Sequence, residues 1–177
     1  MADTIRTRAA LVTLLADNTA GAISEQDMRD FLATVDGANG SLYLSATGAS
    51  ASITPGTPVI LGGTTTLGEA NNVTMPSNWR LTSGAGATLT YEVRASVSVT
   101  TSSSNQVLTF SLYKNGAKVT GSDMKRKVGT GSDVGNASVS WVISLADTDY
   151  IEVFVDSDSV TTVTSETGVF SMFSLVS

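Results

Sequence analysis

The stretch LTYEVRASVSV, from Leu89 to Val99, constrains the fold more than any other part of this 177-residue chain. Leu89, Tyr91, Val93, Ala95, Val97 and Val99 alternate with Thr90, Glu92, Arg94, Ser96 and Ser98. Successive strand side chains point to opposite faces, so this segment predicts a strand with one face in a core and the other in water. The same period recurs downstream. VLTFSLYKNGAKV sets Leu108, Phe110 and Leu112 on one face, and Asn115-Gly116 supplies the two positive-φ residues of a tight hairpin. SVSWVISL keeps Val139, Trp141, Ile143 and Leu145 in phase, and DYIEVFVD does so with Ile151, Val153 and Val155. Leu42 and Leu44 open a short strand, and TPVILGG (Thr57–Gly63) gives another with Pro58 confined to its start. Short strands separated by turn signals predict an antiparallel β-sandwich or jelly roll. SATGASASITPG (Ser45–Gly56) reads as a long surface loop, Trp141 as a core residue, and Trp79 as an exposed or interface aromatic.

The closing strand GVFSMFSLV breaks the half-buried pattern. Val169, Phe173 and Leu175 share one face while Phe170, Met172 and Val176 share the other. A strand apolar on both faces predicts a cover or a subunit contact on its outer side.

The first part of the chain has a different period. Ser24 is suited to cap a helix, with Asp27 three places on as the carboxylate of a capping box. Met28, Phe31, Leu32 and Val35 then follow at i, i+3, i+4 and i+7, one helical face. An earlier helix is expected from Asp3 or Thr4 to about Ala16, with Ile5, Leu11, Val12 and Leu15 on one side and Leu14 off that stripe. The turn DNTAG separates the two helices and DGANG (Asp36–Gly40) ends the segment. Two short helices hold too little apolar surface to fold alone, so their stripe needs a partner. The expected division is a helical attachment segment over 1–38 and a β-domain over 39–177.

Composition removes whole classes of chemistry. The chain has neither cysteine nor histidine, so Ser-His-Asp, Cys-His and thiolate-metal arrangements are impossible. Asp147 with Asp149, and Asp156 with Asp158, are the remaining carboxylate pairs, and the plain reading of ADTD and DSDS is turns whose Asp side chains support their own backbone. Asp156 and Asp158 are weak calcium candidates, two carboxylates being fewer than a full oxygen shell. LGGTTTLG lacks the Lys of a phosphate loop. No enzyme activity and no cofactor are expected. The net charge is −6, and Lys125-Arg126-Lys127, read as a solvated loop, is the sole basic run, so nucleic acid is not expected as a partner. No secretory signal and no apolar run of membrane-spanning length is visible, so no membrane association is expected.

YEVRASVSV, LTFSLYKNGAKV, ASVSWVISLADTDYIEVFVDSDS and GVFSMFSLV, in that order, resemble the complement/tumour-necrosis-factor jelly-roll superfamily. The match covers roughly residues 86–177 and rests on order and spacing, with Leu145, Asp149, Ile151, Val153 and Phe173 at the family's positions. It implies a compact homotrimer used for binding or capping, with an aromatic C-terminal strand at the trimer axis. On that basis Phe170, Met172, Phe173 and Leu175 are the expected trimer interface. No Gly-X-Y stalk precedes the domain, unlike many members. TRAALVTLLADNTAGAISEQDMRDFLATV is similar to a short N-terminal module of tailed-bacteriophage virion proteins, head-decorating and fibre-type. The two resemblances imply a trimeric capsid decoration protein, assembled in the host cytoplasm and carried on the virion. Its attachment residues would be Ile5, Leu11, Leu14, Leu15, Met28, Phe31, Leu32 and Val35, and its partner the major capsid protein or another virion protein. The alternatives are a small tail fibre or receptor-binding protein contacting host surface glycans, and a free carbohydrate-binding module.

Overall fold

The computed structural model describes residues 10, 13, 23–35, 37–129 and 133–175. A helix, Glu25–Val35, precedes thirteen strands. In chain order they are β1 (Asn39–Ala46), β2 (Gly48–Ala49), β3 (Val59–Ile60), β4 (Thr64–Asn71), β5 (Val73–Thr74) and β6 (Arg80–Ser83). There follow β7 (Leu89–Thr101), β8 (Gln106–Lys114), β9 (Ala117–Lys118), β10 (Met124–Val128), β11 (Gly135–Leu145), β12 (Tyr150–Ser157) and β13 (Val163–Leu175). The expected first helix lies outside the described residues except for Ala10 and Thr13, both helical.

The strands form two antiparallel sheets, one in the order β11-β7-β13-β1-β4 and the other β10-β8-β12-β6-β5. From β6 onward the chain mostly crosses from sheet to sheet between long strands, so that β1 and β13 lie side by side in one sheet and β6 and β12 in the other. That winding is a jelly roll. Because Asn39 sits opposite Phe173, the chain enters and leaves the sandwich at the same end. The turns at Ser102–Asn105 and Asp158–Val160 lie at the other end. Entry is firmly stitched: the Ala38 amide donates to Ser174 Oγ at 2.9 Å, Ser174 N–H donates to the Ala38 carbonyl at 2.7 Å, and Asn72 Nδ2 donates to the Gly37 carbonyl.

The core sits between the sheets, where Tyr91, Val93, Val97 and Val99 of β7 meet Phe110 and Leu112 of β8 and Ile151, Val153 and Val155 of β12. Each such side chain contributes about 1.5–3 kcal/mol through burial. The expected hairpin is present: Asn115 and Gly116 adopt φ of 50° and 77° between β8 and β9.

A register shift between Ser165 and Thr167 changes the phase of β13. Before it Val163 and Ser165 point inward; after it Phe170 and Met172 do. The Ser165 hydroxyl is fully buried and finds no hydrogen-bond partner among the described residues. An unsatisfied buried hydroxyl opposes folding, so Ser165→Ala should raise stability by about 1 kcal/mol, seen as a higher midpoint in urea.

Three expectations are corrected. Trp79 is fully buried rather than exposed, while Trp141, on the edge strand β11, is half-buried and packs against the core as expected, resting on Gly121. Ser45–Gly56 is no free loop: β2 pairs with β13, and Ile53 is buried and bridged to Thr161. Lys125-Arg126-Lys127 lies on β10, an edge strand paired with β8.

Candidate functional site

Three surfaces carry side chains that the core does not need. The first is the helix. Its capping box forms as the residues dictate: Asp27 N–H donates to Ser24 Oγ at 3.2 Å, and Ser24 N–H donates to Asp27 Oδ2 at 2.8 Å. Arg29 reaches back to Gln26 and Glu25 along the polar side. Met28 is exposed (48%) and Phe31 half-buried. Ile5, Leu11, Leu14 and Leu15, and the side chains of Leu32 and Val35, lie outside the described residues.

The second surface is the outer face of the β11-β7-β13-β1-β4 sheet. Register aligns Val142, Glu92, Phe173 and Asn39 in one row, and Ser138, Ser96, Val169 and Tyr43 in another. Tyr43, Val142, Val169, Phe173 and Leu175 are all exposed there, Phe173 at 47%. Between them lie small hydroxyls, with Ser138 donating to Ser96 at 2.9 Å, and one ion pair, Arg94 to Glu92 at 2.6 Å. The four residues expected at a trimer interface therefore separate. Phe173 and Leu175 lie on this outer face, but Phe170 and Met172 are fully buried inside the sandwich and cannot reach another subunit. The alternation within β13 is the physical reason, since neighbours two apart share a face and adjacent ones do not.

The third surface is the outer face of the second sheet. Tyr113 on β8 and Phe154 on β12 stack with centroids 4.1 Å apart, their planes 26° from parallel. Arg80 on β6 donates through Nε and Nη2 to Glu152 Oε1 and lies 4.1 Å above the Tyr150 ring. Lys118 pairs with Asp123 at 2.8 Å, and Ser111 Oγ donates to the same carboxylate. These bonds hold Asp123 below the usual carboxylate range and raise the Lys118 ammonium. Burial pushes the Tyr113 hydroxyl up.

The aspartate pairs serve the backbone. Asp156 Oδ1 accepts from Gly56 N–H and Ser157 N–H, Asp158 Oδ1 from Val107 N–H, and Asp147 Oδ1 from Gly86 N–H. Among the described residues no group of three or more His, Cys, Asp or Glu could hold a metal ion. Asp149 ties three segments together: Lys114 Nζ lies 2.8 Å from Oδ2, Asn115 Nδ2 donates to Oδ1 at 2.7 Å, and Ala146 N–H donates to Oδ2. The Lys114 contact, helped by Asn115 and Ala146, lowers its pKa from 3.8 to about 2. A carboxyl depressed in the folded state stabilises fully above its unfolded value and loses that contribution as pH falls through the folded one. Asp149→Asn should therefore destabilise by about 1–2 kcal/mol at pH 7, with the difference from wild type vanishing between pH 3.8 and about 2. Thermal unfolding followed across that range checks it.

Strand order defines the class: a two-sheet jelly-roll protein with its start and end strands adjacent. No protein-family model and no curated protein sequence matches the chain. Among solved structures it is similar to the crystal structure of murine APRIL, at 13% identity over 75% of this chain and 98% of that chain, with a TM-score of 0.44. No helix among the described residues is long and apolar enough to cross a membrane.

Proposed function

We propose that the protein is a non-enzymatic virion protein of a tailed phage: a homotrimeric decoration or cement protein held to the capsid by its N-terminal helical segment. The observation that carries this reading is the capped helix ahead of β1, with Met28 exposed on its apolar stripe. Trimerisation is supported by the apolar outer face around Val169 and Phe173, which no other part of the described chain covers. Absence of catalysis is supported by the lack of His and Cys and by carboxylates already committed to backbone amides. The alternative, a small receptor-binding protein contacting host glycans, is favoured by the stacked Tyr113–Phe154 rings.

Attachment is tested by mixing variants with undecorated particles and sedimenting them. Deleting residues 1–36 keeps the Gly37–Ala38 bonds that belong to the sandwich and should leave a folded β-domain that stays in the supernatant. Phe31→Asp should do the same with an unchanged melting temperature, because an unpaired charge in an apolar contact costs several kcal/mol. Co-sedimentation of the truncated protein at wild-type levels would overturn the attachment reading.

A further inference from the structure

Of the protein's ten Lys and Arg residues, eight lie in the described part. Five of them hold an acidic partner: Arg29 with Glu25, Arg80 with Glu152, Arg94 with Glu92, Lys114 with Asp149 and Lys118 with Asp123. Lys125, Arg126 and Lys127 form no direct ion pair among the described residues, although the Lys125 charge acts on the Asp123 carboxylate from farther off. In a chain with sixteen acidic groups against ten basic ones, three consecutive unpaired cations are the opposite of what chance pairing gives.

Their placement is specific. Val128 points into the core, so Arg126 shares its side of β10, where its stem lies close to the Cα of Gly135; a Cβ there would meet it at 3.3–3.4 Å. Lys125 and Lys127 therefore point outward, on the face that carries Tyr113 and Phe154. Lys125 sits opposite Thr109 and Lys127 opposite Val107 on β8. Thr109, Ser111 and Tyr113 then run along one face of that strand at period two, about 14 Å from Thr109 to Tyr113. The face thus presents two unpaired ammonium groups at one end and a half-exposed ring pair at the other. The carboxylates on it are already engaged, Asp123 by Lys118 and Ser111, Asp156 by two backbone amides and Glu152 by Arg80.

We propose that this face binds an acidic polysaccharide, with Lys125 and Lys127 meeting carboxylates of the sugar chain and the Tyr113–Phe154 pair stacking on the C–H face of a pyranose. The negative face of an aromatic ring attracts polarised C–H bonds, and ammonium groups without a protein partner have most to gain from an external anion. The spacing calls for a polymer, since one sugar cannot touch both ends. A nucleic acid is a poorer fit, because two ammonium groups on a protein of net charge −6 neutralise too little of a phosphate backbone, whose charges are more closely spaced than those of a uronate chain. This inference is independent of particle attachment, and its test uses the isolated full-length protein.

The probe is polygalacturonate, with dextran as the neutral sugar polymer and polyglutamate as the polyanion without sugar, compared by affinity electrophoresis. Polygalacturonate should retard the protein, and the retardation should weaken as salt rises. The double variant Lys125→Ser/Lys127→Ser, at exposed positions, should keep its melting temperature and bind at least tenfold more weakly. Tyr113→Ala should weaken binding several-fold at high salt as well as low. Equal retardation by dextran or by polyglutamate would overturn the proposal. So would a double variant that binds normally but aggregates, the result expected if the lysines serve only to keep an open strand edge from pairing with another.

Discussion

Trp79→Ala should cost about 3–5 kcal/mol, among the largest losses of stability expected from a single change in this chain. The ring is fully buried, and its Nε1 donates to the Gly62 carbonyl at 2.8 Å. Its six-membered edge lies over Gly168 on β13, where an added Cβ would come within 2.5 Å of Cη2. Trp79 itself has φ of 56°, a left-handed backbone that bulky residues rarely adopt. The alanine variant loses the buried area, the hydrogen bond and the fill above Gly168 together. Urea unfolding measures the loss, and a value below 1 kcal/mol would show that the sandwich does not close around this ring.

The second large effect concerns assembly. Val169→Asp/Phe173→Asp should turn the proposed trimer into a folded monomer in light scattering, because both side chains face outward and an apolar subunit contact cannot hold unpaired carboxylates. Phe170→Ala, one residue away from Val169, should instead cost about 3–5 kcal/mol by opening a cavity inside each subunit. A wild-type monomer at micromolar concentration, or a charged double variant that stays trimeric, would remove this face from the assembly.

Strands whose two faces differ were plain in the residues. β7 alternates over its whole length because one side meets the core and the other meets water, and β8 and β12 repeat that contrast. The hairpin at Asn115-Gly116 was equally plain, since positive φ selects those residue types. β4, with TTTLGEAN, was not legible: its side chains are mostly exposed on both faces, so no contrast marks the period. Nor was Trp79, which reaches the core from a left-handed turn residue and belongs to no alternating run. For the surfaces, the two-faced β13 signalled an apolar outer side, but the run alone could not say which set of residues was outer. That is decided by the bulge near Glu166, a feature without a residue signature here. The outward aromatic pair was hidden because Tyr113 and Phe154 are far apart in sequence and meet only through the β8-β12 register.

The side-by-side placement of β1 and β13 also sets how the molecule bears force. β1 begins and β13 ends at one end of the sandwich, beside the Asn39–Phe173 pair. Tension between the helix and the C-terminus would open the β1-β13 seam like a zipper, breaking its bonds one after another at low force. Tension between the helix and the outer edge of β10 runs differently, because Lys127 lies toward the opposite end, opposite Val107 near the start of β8. That load acts along the strands, so the cross-strand bonds, which lie perpendicular to it, are sheared together rather than in turn. A protein anchored by its helix and gripped at β10 would thus be pulled in its mechanically strong direction.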